Sequence, residues 1–190
     1  QLKEAGIDRP THVFVQAGVG SLAGAVVGYF AHKYKENPPI MVVCEASAAD
    51  CLYRSAMKES GELVNVGGDL QTIMAGLACG EANTIGWDIL RSHVSVFASC
   101  PDWMSAKATR IYANPLGNDP HIVSGESGSV PLGLCFTALH DEDAKDLKEA
   151  LKLDENSNVL VISTEGDTDP VRYREIVWDG LYGTNESLSK

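Results

Sequence analysis

The sequence predicts an α/β fold, with an open, mostly parallel, twisted sheet flanked by helices. Two observations predict it. Short runs rich in β-branched and aromatic residues alternate with longer segments of helical periodicity, and this alternation is typical of parallel βαβ units. The chain has 190 residues, 44% of them hydrophobic and 22% charged, which suits a soluble domain with its own core. We therefore assign residues 1–180 to a single α/β unit and expect 181–190 to form a flexible tail.

The elements follow one another with recognisable boundaries. The predicted strands are 11–16, 40–44, 94–98 and 159–162. A glycine-rich turn opens the first helix, and Asn37-Pro38-Pro39 ends it because proline cannot continue a helix. Further helices are predicted over 48–56, 69–78 (capped by Asp69), 101–112, 125–139 and 141–151, and after Asp169-Pro170.

Charge and composition exclude several classes of partner. Fifteen basic against 26 acidic residues leave a formal net charge of −11, which disfavours nucleic acid and anionic membranes. No apolar run approaches the roughly 18 residues that span a bilayer, and we expect a cytoplasmic protein. The five cysteines are expected to be free buried thiols, as is usual in a reducing compartment. The histidines are too scattered to predict a metal site.

The turn after the first strand has the composition of a phosphate-binding loop. It reads Gly18-x-Gly20-x-x-Ala23 and leads directly into a helix, whose N-terminal N–H groups attract anions. The same pattern fits a tight turn with no ligand. It also fits an NAD(P)-binding Rossmann domain, in which Glu45, at the end of the next strand and roughly 20 residues on, would hold a ribose hydroxyl.

Two later segments are also candidates for a ligand site. Ser163 and Thr164 follow the last strand, and the carboxyl ends of parallel strands line the ligand crevice of open sheets. The alternative is that these hydroxyls only begin a turn. Glu126 lies in a turn of small residues before an apolar helix, where it could face the crevice or cap the helix.

Together these segments resemble the fold type II pyridoxal-phosphate enzymes and, among them, the diaminopropionate ammonia-lyase family. The stretches that carry the resemblance are 11–21, 49–55, 64–69, 72–81 and 160–169. The resemblance implies that pyridoxal 5'-phosphate is the cofactor, and that the reaction is α,β-elimination of 2,3-diaminopropionate, a small amino acid, to pyruvate and ammonia. It also implies a homodimer.

The resemblance assigns roles to residues of this chain by position. Ala17, Gly18, Val19, Gly20 and Ser21 match the loop that holds the cofactor phosphate. Ser163 matches the hydroxyl that faces the pyridine nitrogen, and Glu126 and Thr164 match positions near the ring.

One part of the family pattern has no counterpart in this sequence. The family's Schiff-base lysine and catalytic aspartates lie N-terminal to the glycine loop, but only 17 residues precede Gly18. We therefore expect no catalytic residue in this chain. It should be the C-terminal half of the enzyme, inactive alone and partnered by the N-terminal half.

Overall fold

Four parallel strands form the centre of the computed structural model, which describes residues 2–183. They lie in the order β3-β2-β1-β4, and every pairing is parallel. The strands are β1 (His12–Gln16), β2 (Ile40–Ala46), β3 (Val96–Cys100) and β4 (Val159–Val161). The predicted α/β fold with a parallel sheet is therefore confirmed.

Helices cover both faces of the sheet. They are α1 (Ser21–Tyr34), α2 (Cys51–Ala56), α3 (Thr84–His93), α4 (Asp102–Ala113), α5 (Glu126–His140), α6 (Lys145–Leu151) and α7 (Pro170–Val177), with short 3-10 helices at Ala75–Leu77 and Glu142–Ala144. Among the described residues, no helix combines the length and the apolar composition needed to cross a membrane.

Alternation along the strands divides the core into two layers. Val13 and Val15 pack with α1 and α3 on one face, whereas Phe14 packs with α5 on the other. Because both faces are covered, every residue of β1 is buried, as expected for a strand inside a parallel sheet.

Two segments differ from the sequence prediction. Helix α3 lies where no element was predicted, although Asn83 caps it by accepting the Gly86 N–H at 2.7 Å. The helix predicted over 69–78 is wrong, since that segment is a loop with a single 3-10 turn. The Asp102 carboxylate accepts hydrogen bonds from the Thr72 hydroxyl and the Ile73 N–H, and these contacts hold the loop against the start of α4.

The end of the chain is described only in part. Arg110 donates to the backbone carbonyls of Leu181, at 2.9 Å, and Tyr182, at 3.1 Å. The rest of the predicted flexible tail, residues 184–190, lies outside the described residues.

The close packing of α4 on α5 gives a stability prediction. A Cβ at Gly133 in α5 would overlap the Met104 carbonyl, which is backbone and cannot rotate away. We expect Gly133→Ala to lower the free energy of unfolding by about 1–3 kcal/mol. Gly28→Ala in α1 is the matched control, because its Cβ would meet only ordinary contacts at 3.7 Å and should stabilise the helix by about 0.5–1 kcal/mol. Urea denaturation measures both, and equal effects would contradict the packing argument.

Candidate functional site

The candidate site lies beside β1, where the order of the strands in the sheet reverses. Strand β2 pairs with one side of β1, and β4 pairs with the other. Both β1 and β4 are parallel, so the loops that follow them leave the same edge of the sheet. Ligands of open α/β sheets bind at such a switch point, outside the carboxyl ends of the strands. The structure thus brings the glycine loop and Ser163 to the same edge.

The glycine loop presents unpaired backbone N–H groups. Gly20 is the N-cap of α1 and has a φ of 91°, a left-handed conformation that favours glycine. The first hydrogen bond of the helix runs from the Gly24 N–H to the Gly20 carbonyl. None of the N–H groups from residue 18 to residue 23 donates to another described residue. Unpaired N–H groups at the positive end of a helix dipole favour an anion.

The first two residues of the predicted loop have different roles. The Ala17 N–H donates to the Cys44 carbonyl at 2.9 Å, so it is part of the sheet and not available to a ligand. Gly18 allows close approach of the loop above it, since a Cβ there would lie 3.2 Å from the Gly76 carbonyl oxygen. The side chains of Val19 and Ser21 are exposed.

Ser163 is held by a second serine. Its Oγ lies 2.7 Å from the Oγ of Ser124, which is buried. The Ser124 hydroxyl is also 3.3 Å from the Gly125 carbonyl. The Ser163 hydroxyl also donates to the Glu165 carbonyl at 3.4 Å. This contact is long for a hydroxyl donor, so a ligand acceptor that approaches the exposed hydroxyl can compete with the carbonyl for its hydrogen.

Glu126, the first residue of α5, is buried, and no residue in 2–183 provides a hydrogen-bond partner for its carboxylate oxygen Oε1. Burial raises the pKa of this carboxyl above its usual range, and the neighbouring charges of Glu165 and Asp169 raise it further. The pKa is therefore sensitive to any cation that enters beside it.

Three residues that sequence reasoning did not assign hold the site together. The Glu165 Oε1 accepts the N–H groups of Ser127 at 2.7 Å and Gly128 at 3.2 Å, and so caps α5. The Gln16 amide donates to the Thr164 hydroxyl at 2.8 Å, which joins the ends of β1 and β4. The third is Ser124. These partners are far apart in sequence, and no spacing rule indicates them.

A cleft of about 790 Å³ opens beside these residues. The loop over the glycine turn forms one wall, and the start of α5 and the turn after β4 form the other. Its lining includes the carboxylates of Asp69, Asp102, Glu126, Glu165 and Asp169, and the guanidinium of Arg172.

Glu45 does not face this site, which contradicts the dinucleotide interpretation. Its side chain is fully buried, and its carboxylate accepts the N–H groups of Leu52 at 2.9 Å and Tyr53 at 2.6 Å. Because those N–H groups belong to the first turn of α2, the carboxylate caps that helix and cannot reach a ribose.

The buried Glu45 also predicts a pH dependence of stability. Burial raises its pKa from 4.5 to about 8, so the folded state binds this proton more tightly than the unfolded chain does. The contribution of this bound proton to folding stability is complete below pH 4.5 and is lost as the pH rises through 8. We expect the free energy of unfolding to fall by on the order of 5 kcal/mol across this window, and Glu45→Gln to remove most of the slope. Denaturation at several pH values measures it, with exposed Glu155→Gln as the control. An unchanged slope in Glu45→Gln would contradict the assignment.

The sequence is similar to diaminopropionate ammonia-lyases of two bacteria. The chain is 51% identical over 182 residues to diaminopropionate ammonia-lyase of Escherichia coli K12, covering 96% of this chain and 45% of that protein. It is 49% identical over 181 residues to the enzyme of Salmonella typhimurium LT2, again covering 45% of it. The chain therefore spans about half the length of these relatives.

A solved structure has the same fold. The Escherichia coli diaminopropionate ammonia-lyase in complex with an aminoacrylate-PLP azomethine reaction intermediate superposes with a TM-score of 0.87 at 47% identity, covering 96% of this chain and 45% of that one. The protein-family model described as "Pyridoxal-phosphate dependent enzyme" matches residues 1–165 of this chain. A match over this much of the chain, together with the glycine loop and Ser163 at one edge of the sheet, shows that the chain belongs to the family of pyridoxal-phosphate dependent enzymes.

Proposed function

We propose that this chain is the C-terminal part of a lyase that converts 2,3-diaminopropionate to pyruvate and ammonia by α,β-elimination. It supplies the contacts to the phosphate and pyridine nitrogen of pyridoxal 5'-phosphate, and the N-terminal half supplies the lysine that anchors the cofactor. The observation that carries the proposal is the junction of the glycine loop and Ser163 at the ends of neighbouring strands. The similarity to diaminopropionate ammonia-lyases supports the substrate.

The glycine loop fits the phosphate of this cofactor. Residues 18–23 offer N–H groups that no other described residue accepts, and the N-terminus of α1 adds its dipole. Such a cradle holds a dianion without a positively charged side chain. The exposed hydroxyl of Ser21 stands at the same helix terminus, where it could donate one further hydrogen bond.

Ser163 fits the opposite end of the cofactor. Pyridoxal phosphate, when bound, supplies an electron sink for the carbanion that forms at the substrate Cα. A neutral hydroxyl favours an unprotonated ring nitrogen, because only a carboxylate would stabilise the protonated form. Ser163 thereby keeps the sink moderate, which suits elimination better than transamination. Ser124 orients the Ser163 hydroxyl, and Glu126 and Thr164 are placed near the ring by the resemblance alone.

The same proposal includes the setting of the enzyme. We propose a cytoplasmic homodimer in which each subunit joins this chain to an N-terminal half. Exposed apolar side chains such as Leu116, at 84% exposure, and Ile85, at 73%, are surfaces that these contacts would cover.

Substitution in the loop tests the phosphate contact. Gly20→Ala should weaken pyridoxal-phosphate binding by the full-length enzyme at least tenfold, because alanine disfavours a φ of 91° and its Cβ would lie 3.1 Å from Leu90 Cδ1. Gly67→Ala is the matched control, with nothing within 4 Å of its Cβ. Absorbance titration gives both dissociation constants, and equal affinities would contradict the assignment of the loop.

Division of the enzyme tests the reaction. With cofactor and 2,3-diaminopropionate, this chain alone should form no pyruvate, whereas the full-length enzyme should form pyruvate and ammonia continuously. A lactate dehydrogenase-coupled assay measures the rate. Sustained turnover by this chain alone would show that a catalytic lysine lies within it. Absence of turnover by the full-length enzyme would contradict the proposal that 2,3-diaminopropionate is the substrate.

A further inference from the structure

The acidic cleft contains more negative charge than its structural roles require. Three of its five carboxylates stabilise the fold: Asp102 holds Thr72 and Ile73, Glu165 caps α5, and Asp169 caps α7 by accepting the Arg172 N–H at 3.0 Å. These three carboxylates therefore have structural roles in the walls of the cleft.

The other two carboxylates, of Asp69 and Glu126, accept no hydrogen bond from another described residue, although the Glu126 carboxylate is within reach of its own backbone N–H. Glu126 is 7% exposed and borders the cleft, and its Oε1 has no hydrogen-bond partner within the described residues. A buried carboxylate oxygen without a donor is unfavourable by about 1–3 kcal/mol, so a donor from a ligand or from the N-terminal half would stabilise it. Asp69 lies on the facing wall and is exposed.

The one cation among the lining residues does not balance this charge. The Arg172 guanidinium forms an ion pair with Glu175 at 2.9 Å and also lowers the pKa of the Glu126 carboxyl through its charge. One guanidinium stands against five lining carboxylates, and no ion pair of Asp69 or Glu126 is present in the described part of the chain.

The cleft also adjoins the proposed cofactor site. Its wall residue Gly76 approaches Gly18 of the glycine loop on one side, and Ser127 at the start of α5 on the other, since a Cβ at Gly76 would lie 3.2 Å from the Ser127 Oγ. A substrate bound at the cofactor would thus have the cleft beside it.

We propose that Glu126, assisted by Asp69, binds the second ammonium group of a diamino acid substrate and so selects it over amino acids with a neutral side chain. The inference rests on the proposed function. An ammonium donates up to three hydrogen bonds and carries the opposite charge, so it satisfies the unpartnered carboxylate, which a hydroxyl or methyl group cannot do. Charge-assisted hydrogen bonds of this kind are about twice as strong as neutral ones.

The test compares two substrates that differ only in this group. In the cofactor-loaded full-length enzyme, Glu126→Gln should raise the KM for 2,3-diaminopropionate at least tenfold more than the KM for serine, which corresponds to ~1.4 kcal/mol. Asp69→Asn changes an exposed residue, so the variant should fold normally. It should change the ratio of the KM for 2,3-diaminopropionate to the KM for serine about threefold. The control Glu149→Gln removes the same charge from the exposed face of α6 and should leave the ratio unchanged.

A binding measurement separates this inference from the reaction. By calorimetry, 1,2-diaminoethane should bind the wild-type enzyme more tightly than 2-aminoethanol does, and Glu126→Gln should abolish the difference. Equal changes for both substrates, or no preference for the diamine, would overturn the inference, because Glu126 would then serve the cofactor or the fold. If wild-type enzyme binds the diamine selectively but releases no pyruvate from 2,3-diaminopropionate, the proposed function fails and the ammonium site stands.

Discussion

The pairing of β4 with β1 is the constraint on which the site depends. Three residue pairs, from His12 with Val159 to Phe14 with Val161, set the register. Polar contacts reinforce this short pairing: the Thr11 hydroxyl donates to the Asn158 carbonyl at 3.1 Å and accepts the Asn158 N–H at 2.8 Å. A shift of one residue would turn every side chain of β4 to the opposite face. Ser163 would then lose both Ser124 and its place beside the glycine loop.

Helix α5 is the second support, and its start is bound to the turn after β4. Glu165 bridges the two, because its backbone carbonyl accepts the Gly125 N–H at 3.1 Å and its carboxylate caps the helix. The approach is so close that a Cβ at Gly128 would lie 3.0 Å from the hydroxyls of both Ser124 and Ser163. The small residues at this helix terminus are thus explained by contact with the turn, and the position of Ser163 follows from the position of α5.

Features that local sequence signals determine were predictable, and features that distant contacts determine were not. Strand β1, its glycine turn and the proline-started α7 each carry their own signal within a few residues. The loop over 69–78 has a helical pattern, but Asp102 holds it in another conformation from 30 residues away. The sequence pattern correctly predicted Glu45 near the end of β2. It could not predict that the first N–H groups of α2 lie close enough to donate hydrogen bonds to both carboxylate oxygens. Gln16 and Glu165 were missed for the same reason, since their partners lie 148 and 38 residues away.

The site combines opposite charge preferences within one strongly acidic chain. The net charge of −11 does not prevent the glycine loop from attracting an anion, because surface charges are screened beyond about 8–10 Å in physiological salt. The N–H groups of residues 18–23 act at hydrogen-bond distance, where the local dipole dominates. On the other side of Gly76, carboxylates create the reverse potential. The proposed phosphate at the N-terminus of α1 and the proposed ammonium beside the start of α5 are therefore compatible in one acidic chain, because the arrangement of groups within a few ångströms decides each preference.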